Sequence, residues 1–309
     1  MKTILSSILA GTLLATLAVA QSSRTTVFEK SAHEAASHHG PVNRHVFAYV
    51  ITVGSEFGIL DLRTGELVTV PVSPGLADLG IGDGLVQGPG RSLLSLAFSG
   101  DLDSIDPFTR ETTRIGATGL ADCSAPGSYA PNCANYIGEH NGRLYATDFA
   151  QNLYRVNPHT GAAKLIGPTD VPALTFAPFS ENPDGSVNVF GESLFSAHGK
   201  LYIYFSTLAV NFETNTETPL IPGAIYEVNP ATGKTRVVAS TDSTFSSVVN
   251  VNDTIYALDG FTGQVLTLDI ENGHTRPVSV VHGTACDAGP PSCVIAGATA
   301  VDPLQDGGR

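Results

Sequence analysis

Leu153-Tyr154-Arg155-Val156-Asn157, followed by Pro158-His159-Thr160-Gly161, decides the fold. A run of alternating apolar residues ends at an Asn, and Pro then presets φ for a tight turn. Gly161 accepts φ > 0, and the Asn side chain bonds back to its own backbone. The segment therefore reads as a β-hairpin. Working outward, the same pattern recurs at Phe57–Asp61 with Arg63–Glu66, and at Leu102–Asp106 with Pro107–Arg110. It returns at Ile225–Asn229 with Pro230–Gly233, and at Val265–Asp269 with Ile270–Gly273.

A second strand precedes each hairpin: Leu144–Asp148, Leu201–Tyr204 and Ile255–Asp259, with looser copies at Leu93–Ala97 and Phe47–Val50. The interval from Leu144 to Asn157 equals that from Leu93 to Asp106. A further short strand lies in front, as in Ala134–Glu139, Val189–Ser196 and Phe245–Val251, ending in turns such as Asn141-Gly142 and Asn252-Asp253. Four antiparallel strands repeated along a chain with no helical period indicate an all-β protein, a β-propeller. Five four-stranded blades are expected, spanning residues 45–303 as one domain. A sixth, degenerate blade between Gly161 and Gly233 is the alternative, and a β-sandwich a further one. The orphan segment Cys293–Val301 is expected to supply the innermost strand of the first blade and so close the ring, removing exposed sheet edges.

The pattern resembles the broad group of secreted propeller repeats ending in Leu-Tyr-x-Val-Asn-Pro-x-Thr-Gly. That resemblance implies architecture and carries almost no functional content, because such repeats serve unrelated enzymes and binding proteins.

Lys2, the apolar run Ile4–Val19 and the small-x-small Ala18-Val19-Ala20 read as a signal peptide over 1–20, with Gln21 as the mature start. A membrane anchor is the competing reading, but the run is short for a span. The chain is thus expected to be secreted, extracellular or periplasmic, with no membrane span, and monomeric. Residues 21–44 carry His33, His38 and His39 with few apolar residues, and suit a flexible lead-in; a copper- or zinc-binding arm is the alternative. Residues 304–309 form a tail. A net charge of −13 repels phosphate backbones and argues against nucleic acid. Four cysteines after a signal peptide favour disulfides, with Cys123–Cys133 and Cys286–Cys293 the expected local pairing. A zinc site competes, though the spacings do not match common zinc motifs.

Loop lengths are uneven. Turns after first and third strands are short, while connections after second and fourth strands are long, as in 73–84, 120–135, 168–186, 208–223 and 283–293. Long loops gathered on one face make a binding surface or merely vary in length. Stepping back nine places from Leu144, Leu201 and Ile255 places Asn135, Glu192 and Ser246 at the axial mouth, with Asp83 nearby. Asp83, Asn135 and Glu192 are oxygen donors suited to Ca²⁺, or solvate the channel. Asp148 and Asp259 cap their own turns or face the pocket. Phe149 and Phe261, with Tyr136, stack on a sugar or pack in the core.

No Gly-x-Ser-x-Gly, His-Glu-x-x-His or phosphate-cradling loop occurs. Asn252-Asp253-Thr254 is an N-glycosylation sequon on a short turn. The expected function is a single pocket for a small-molecule or carbohydrate ligand on the long-loop face. The alternative is a propeller enzyme: lactonase-like around a cation, a glycoside hydrolase using Asp83 and Glu192, or a cyclase or isomerase.

Overall fold

The computed structural model describes residues 46–52, 54–75, 84–124, 129–174, 176, 180–211, 213–214, 216–260, 262–283 and 294–301. The signal-peptide and tail segments, residues 21–44, Asp83, Phe261, Cys286 and Cys293 lie outside them.

Five four-stranded antiparallel sheets form a ring, a five-bladed β-propeller, with no helix among the described residues. The first blade contains β1 (Phe47–Thr52), β2 (Phe57–Asp61) and β3 (Leu67–Val70). The second is β4 (Leu85–Gln87), β5 (Leu93–Leu96), β6 (Asp101–Ile105) and β7 (Thr112–Ala117). The third is β8 (Ala134–His140), β9 (Arg143–Asp148), β10 (Asn152–Val156) and β11 (Ala163–Pro168). The fourth is β12 (Val187–Ala197), β13 (Lys200–Asn211), β14 (Thr216–Val228) and β15 (Thr235–Thr241). The fifth is β16 (Ser247–Val251), β17 (Thr254–Leu258), β18 (Gln264–Leu268) and β19 (Thr275–Val280). The last strand, β20 (Ile295–Ala300), pairs antiparallel with β1 from Ala48↔Ala300 to Thr52↔Ile295, as expected, and completes the first blade. The innermost strands β20, β4, β8, β12 and β16 pack around the axis.

The five blades are those expected, and the alternative sixth is not present among the described residues: the interval from Gly161 to Gly233 holds the long strands of the fourth. One detail differs from the expectation. Residues 208–223, read as a loop from their Thr, Glu and Pro content, form the distal part of a hairpin. There β13 runs to Asn211 and β14 starts at Thr216. With β12 at 11 residues, β13 at 12 and β14 at 13, the fourth blade projects beyond the ring on the long-loop face. A separate small cluster of Val189, Leu208 and Val210 supports the projection.

The repeated Thr-Gly turn does two jobs. Within its blade, the Gly161 N–H donates to Asn157 O (2.9 Å) while Asn157 Oδ1 accepts from His159 N (2.9 Å). Between blades, the turn presses on the outer strand of the blade before it. A Cβ on Gly161 would fall well inside contact distance of Gly116 O, and one on Gly273 would strike Ser240 O. Gly65 meets Val280 O and Gly233 meets Gly167 O in the same way. Only the second blade departs: Arg110 takes the glycine's place at φ 63°. Its carbonyl there accepts from Ser73 N of the first blade (2.9 Å).

Gly142, at φ 71° with open space around it, provides the control for this double duty. Gly142→Ala is expected to cost about 1 kcal/mol, from backbone conformation alone. Gly161→Ala and Gly273→Ala are expected to cost roughly 3 kcal/mol, since strain and an inter-blade clash add. Urea denaturation of the three variants measures the difference.

Candidate functional site

Glu192 is the centre of the most connected buried polar cluster near the axis. It lies on β12 opposite Phe205 of β13, and its side chain is only 2% exposed. Three donors reach its carboxyl from the third blade. Thr147 Oγ1 donates to Oε1 (2.7 Å), Gln151 Nε2 donates to Oε2 (2.8 Å), and Asn135 Nδ2 donates to Oε2. Burial still outweighs these bonds and raises the Glu192 pKa to about 7, the nearby Asp148 charge adding to the rise.

Each donor is placed by a local irregularity. The pairing of β8 with β9 slips between Ala134 and Ile137, so β8 carries one extra residue. Such a bulge re-aims side chains, and here Asn135 turns toward the fourth blade. Thr147 sits opposite the bulge, accepting from Tyr136 N (3.3 Å) while it donates to Glu192. Gln151 occupies the left-handed region at φ 60° and is fully buried. Its N–H donates to Asp148 O (2.8 Å), and its carbonyl accepts from both Thr169 N (2.9 Å) and Thr169 Oγ1 (2.7 Å). A non-glycine residue held there stores strain of about 1–3 kcal/mol, which its surroundings must offset.

The two amides leave their oxygens over. Asn135 Oδ1 and Gln151 Oε1 are buried with no hydrogen-bond partner in the protein. A buried acceptor without a donor costs about 1–3 kcal/mol. Exchanging O and N of either amide would instead turn an oxygen toward the carboxyl. As placed, two acceptor oxygens of the cluster receive no donor from the described residues.

Tyr136 spans the axis. Its ring lies beside Gly84, and its hydroxyl reaches Ser247 Oγ (3.0 Å) on the fifth blade and Ala296 O (3.5 Å) on β20. Ser246 bonds Leu258 through both its N–H (2.9 Å) and its hydroxyl (3.1 Å), so its neighbour Ser247 is the one that meets Tyr136. Phe149 is buried between Tyr129, stacked at 5.5 Å, and Phe190, edge-on at 5.6 Å. Asp148 accepts from Asn152 N (2.8 Å), Asn152 Nδ2 (2.9 Å) and Tyr154 OH (2.8 Å). Asp259 accepts from Thr262 N (3.0 Å). Both aspartates thus brace the loop after their second strand. Glu217, on the projecting hairpin, comes near enough to Asp259 that like charge, after desolvation, raises its pKa. The Cys123–Cys133 disulfide ties the 120–133 loop to the start of β8, two residues before Asn135.

Structure thus joins Asn135 and Glu192 in one cluster and leaves Tyr136, Ser246, Phe149, Asp148 and Asp259 around it in other contacts. Thr147 and Gln151 were missing from the sequence reading. Thr147 holds the repeat position of Tyr204 and Leu258, a short hydroxyl-bearing side chain where those copies carry large ones, and that difference was readable. Nothing in the Ala150-Gln151-Asn152 sequence marks Gln151. Among the described residues no group of three His, Cys, Asp or Glu side chains is arranged to hold a metal ion. No described helix is long and apolar enough to cross a membrane.

No protein-family model and no curated protein matches the chain. Solved structures resemble it at fold level. A protein of unknown function from Bacteroides thetaiotaomicron is 15% identical with a TM-score of 0.42, covering 77% of this chain. This chain spans 59% of that protein's length. Glutaminyl cyclase of Myxococcus xanthus is 14% identical with a TM-score of 0.35, over 68% of this chain and 73% of its own. BamB of Moraxella catarrhalis is 11% identical with a TM-score of 0.31, over 76% of this chain and 70% of its own. Likeness this distant bears on architecture alone.

Burial of Glu192 has a consequence for stability against pH. Its folded pKa lies above the ordinary 4.5, so the folded state binds the proton more tightly than the unfolded chain does. The stability this group contributes is fully present below about pH 4.5, falls as pH rises toward 7, and then levels off. The loss from this group is on the order of 3 kcal/mol. Asp103, raised to about 6 by burial and by Asp101, contributes with the same sign. Urea melts at pH 5, 6 and 7 should show a shallower slope for Glu192→Gln, the residue from Asp103 vanishing in Glu192→Gln/Asp103→Asn.

Proposed function

We propose that this chain is a ligand-binding propeller that takes a small, hydroxyl-rich molecule, carbohydrate-like in chemistry, at the axial end of its long-loop face. Glu192 is the centre of the site and Asn135 and Gln151 its flanking acceptors. The observation that carries this reading is the pair of buried amide oxygens without donors beside a buried carboxyl. A ligand bearing several O–H donors satisfies such a cluster, and binding recovers what the unpaired acceptors cost in the free protein. The aromatic group of Tyr129, Phe149 and Phe190 and the projecting hairpin of the fourth blade supply walls beside it. A signal peptide at 1–20 and secretion belong to the same reading, and the Cys123–Cys133 disulfide supports an oxidising compartment.

A second reading uses the same oxygens differently. Glu192 with Asn135 Oδ1 and Gln151 Oε1 is a set of hard donors suited to Ca²⁺, and Asp83, outside the described residues, is the further donor that the sequence offers. A bound cation would polarise a carbonyl or activate water, and Glu192, near pH 7 in its titration, suits acid–base work. A lactonase-like or glycosidic hydrolysis follows from that reading.

Calorimetric titration of the purified protein with a panel of mono- and disaccharides, in EDTA and in 5 mM calcium (a concentration of about that order saturates weak extracellular sites), separates the two. Saccharide binding in EDTA that falls at least about tenfold, some 1.4 kcal/mol, in Glu192→Gln supports the first reading. Calcium uptake that Glu192→Gln abolishes supports the second. Failure of both to bind removes the site.

A further inference from the structure

The short-turn face carries a second feature, independent of the axial cluster. A groove of about 490 Å³ opens at the foot of the fourth blade, lined among others by His140, Lys200, Glu227, Lys234 and Arg236. Three cationic side chains thus face one concavity on a chain whose net charge is −13. They are held rather than loose. Glu227 accepts from Lys200 Nζ (2.9 Å) and from Arg236 Nη2, so one carboxylate keeps an ammonium and a guanidinium side by side. Both cations hold its pKa below the ordinary carboxylate value, Lys200 most strongly. Glu227 is the more recessed partner at 23% exposure, while Lys200 and Arg236 stand at 49% and 64%. Lys234 meets Asp170 at 3.2 Å in a pair exposed on both sides. Such a pair is worth little and yields readily to a competitor.

His140 forms a fixed wall. The Ser196 hydroxyl gives its proton to Glu139 O (2.7 Å) and therefore accepts from His140 Nδ1 (2.9 Å). Nε2 then accepts from Asn141 Nδ2 (2.9 Å).

The repeat supplies an internal control. The fifth blade has the equivalent groove, about 270 Å³, bordered on the fourth blade by His198, the repeat counterpart of Asn141. There Tyr256 pairs with Thr267 as Tyr202 pairs with Glu227, so the positions correspond. Thr254 stands where Lys200 does, and His274 where Lys234 does. The fifth-blade groove is lined instead by Asp253, Asp269 and Glu271. Repeat geometry therefore explains the groove but not its charge. Arg276 keeps the place of Arg236, so the two lysines, and not the arginine, set the fourth blade apart from the fifth.

We propose that the fourth-blade groove binds an oxyanion-bearing ligand, a phosphate ester or a polycarboxylate, through Lys200, Arg236 and Lys234. An arginine fork beside a lysine suits bidentate contact with phosphate or carboxylate oxygens. The groove volume suits a small molecule or the end of a chain.

Isothermal titration at pH 7 and constant ionic strength tests this with inorganic pyrophosphate and with citrate as probes, sodium chloride serving as the blank. At least one probe should bind, and the preferred probe names the oxyanion class. Lys200→Gln/Arg236→Gln should weaken binding at least about tenfold, the loss of two charge-assisted contacts. Glu227→Gln, which removes the competing carboxylate, should tighten it several-fold, a gain that no folding defect would mimic. Absence of heat beyond the chloride blank for both probes overturns the proposal, as does unchanged affinity in the double variant.

Discussion

The ring depends on one contact, made again at successive blade junctions: the glycine of a hairpin turn pressed against a backbone carbonyl of the blade before it. Gly65, Gly161, Gly233 and Gly273 each abut an outer-strand carbonyl so closely that no side chain fits. Backbone hydrogen bonds accompany the contact, as from Ala163 N to Thr118 O and from Leu67 N to His282 O. The turn that reverses each sheet is thus also the joint that sets the angle to the next. A propeller with few blades has large angles between them, and its joints must be tight. The inner strands obey the same constraint, for Gly138 of β8 lies against Leu194 O of β12.

Tight packing at the axis has a chemical result. Tyr136 crosses near the axis to reach Ser247 and Ala296. Polar groups that face the axis are therefore desolvated rather than bathed in water. Glu192 titrates near 7 for that reason, although three donors bond it. Its partners all come from the third blade, so the cluster also fastens the third blade to the fourth where their inner strands meet.

Hairpins, blade number and ring closure were legible because each follows from short-range chemistry: alternation, a Pro or Asx turn, a glycine at positive φ. Asn135 and Glu192 were legible as a pair because the repeat offset is constant along the chain. The register slip that turns Asn135 toward Glu192 was not, since a bulge leaves no mark in the Ala134–Ile137 sequence. Gln151 was hidden for the same kind of reason: its left-handed backbone is imposed by Thr169 and Asp148, residues remote from or flanking it, and not by its own preference. The projecting hairpin was misread because Thr216–Pro219 look like loop residues. Edge position and solvent on one side allow them in a strand.

Where the repeat is faithful, the structure is scaffold; where one copy departs, chemistry accumulates. Thr147 stands where the fourth and fifth blades carry the larger Tyr204 and Leu258, and it gives Glu192 a donor. The extra residue in β8 gives it a second, and strained Gln151 a third. On the opposite face, Lys200 and Lys234 replace a threonine and a histidine and turn a common groove basic. Each departure adds a polar or charged group at a position whose backbone the ring has already fixed. Because inter-blade joints set that backbone, side chains at these positions vary without loosening the fold, and a rigid, repetitive frame carries a buried polar cluster near its axis and a basic groove on its short-turn face.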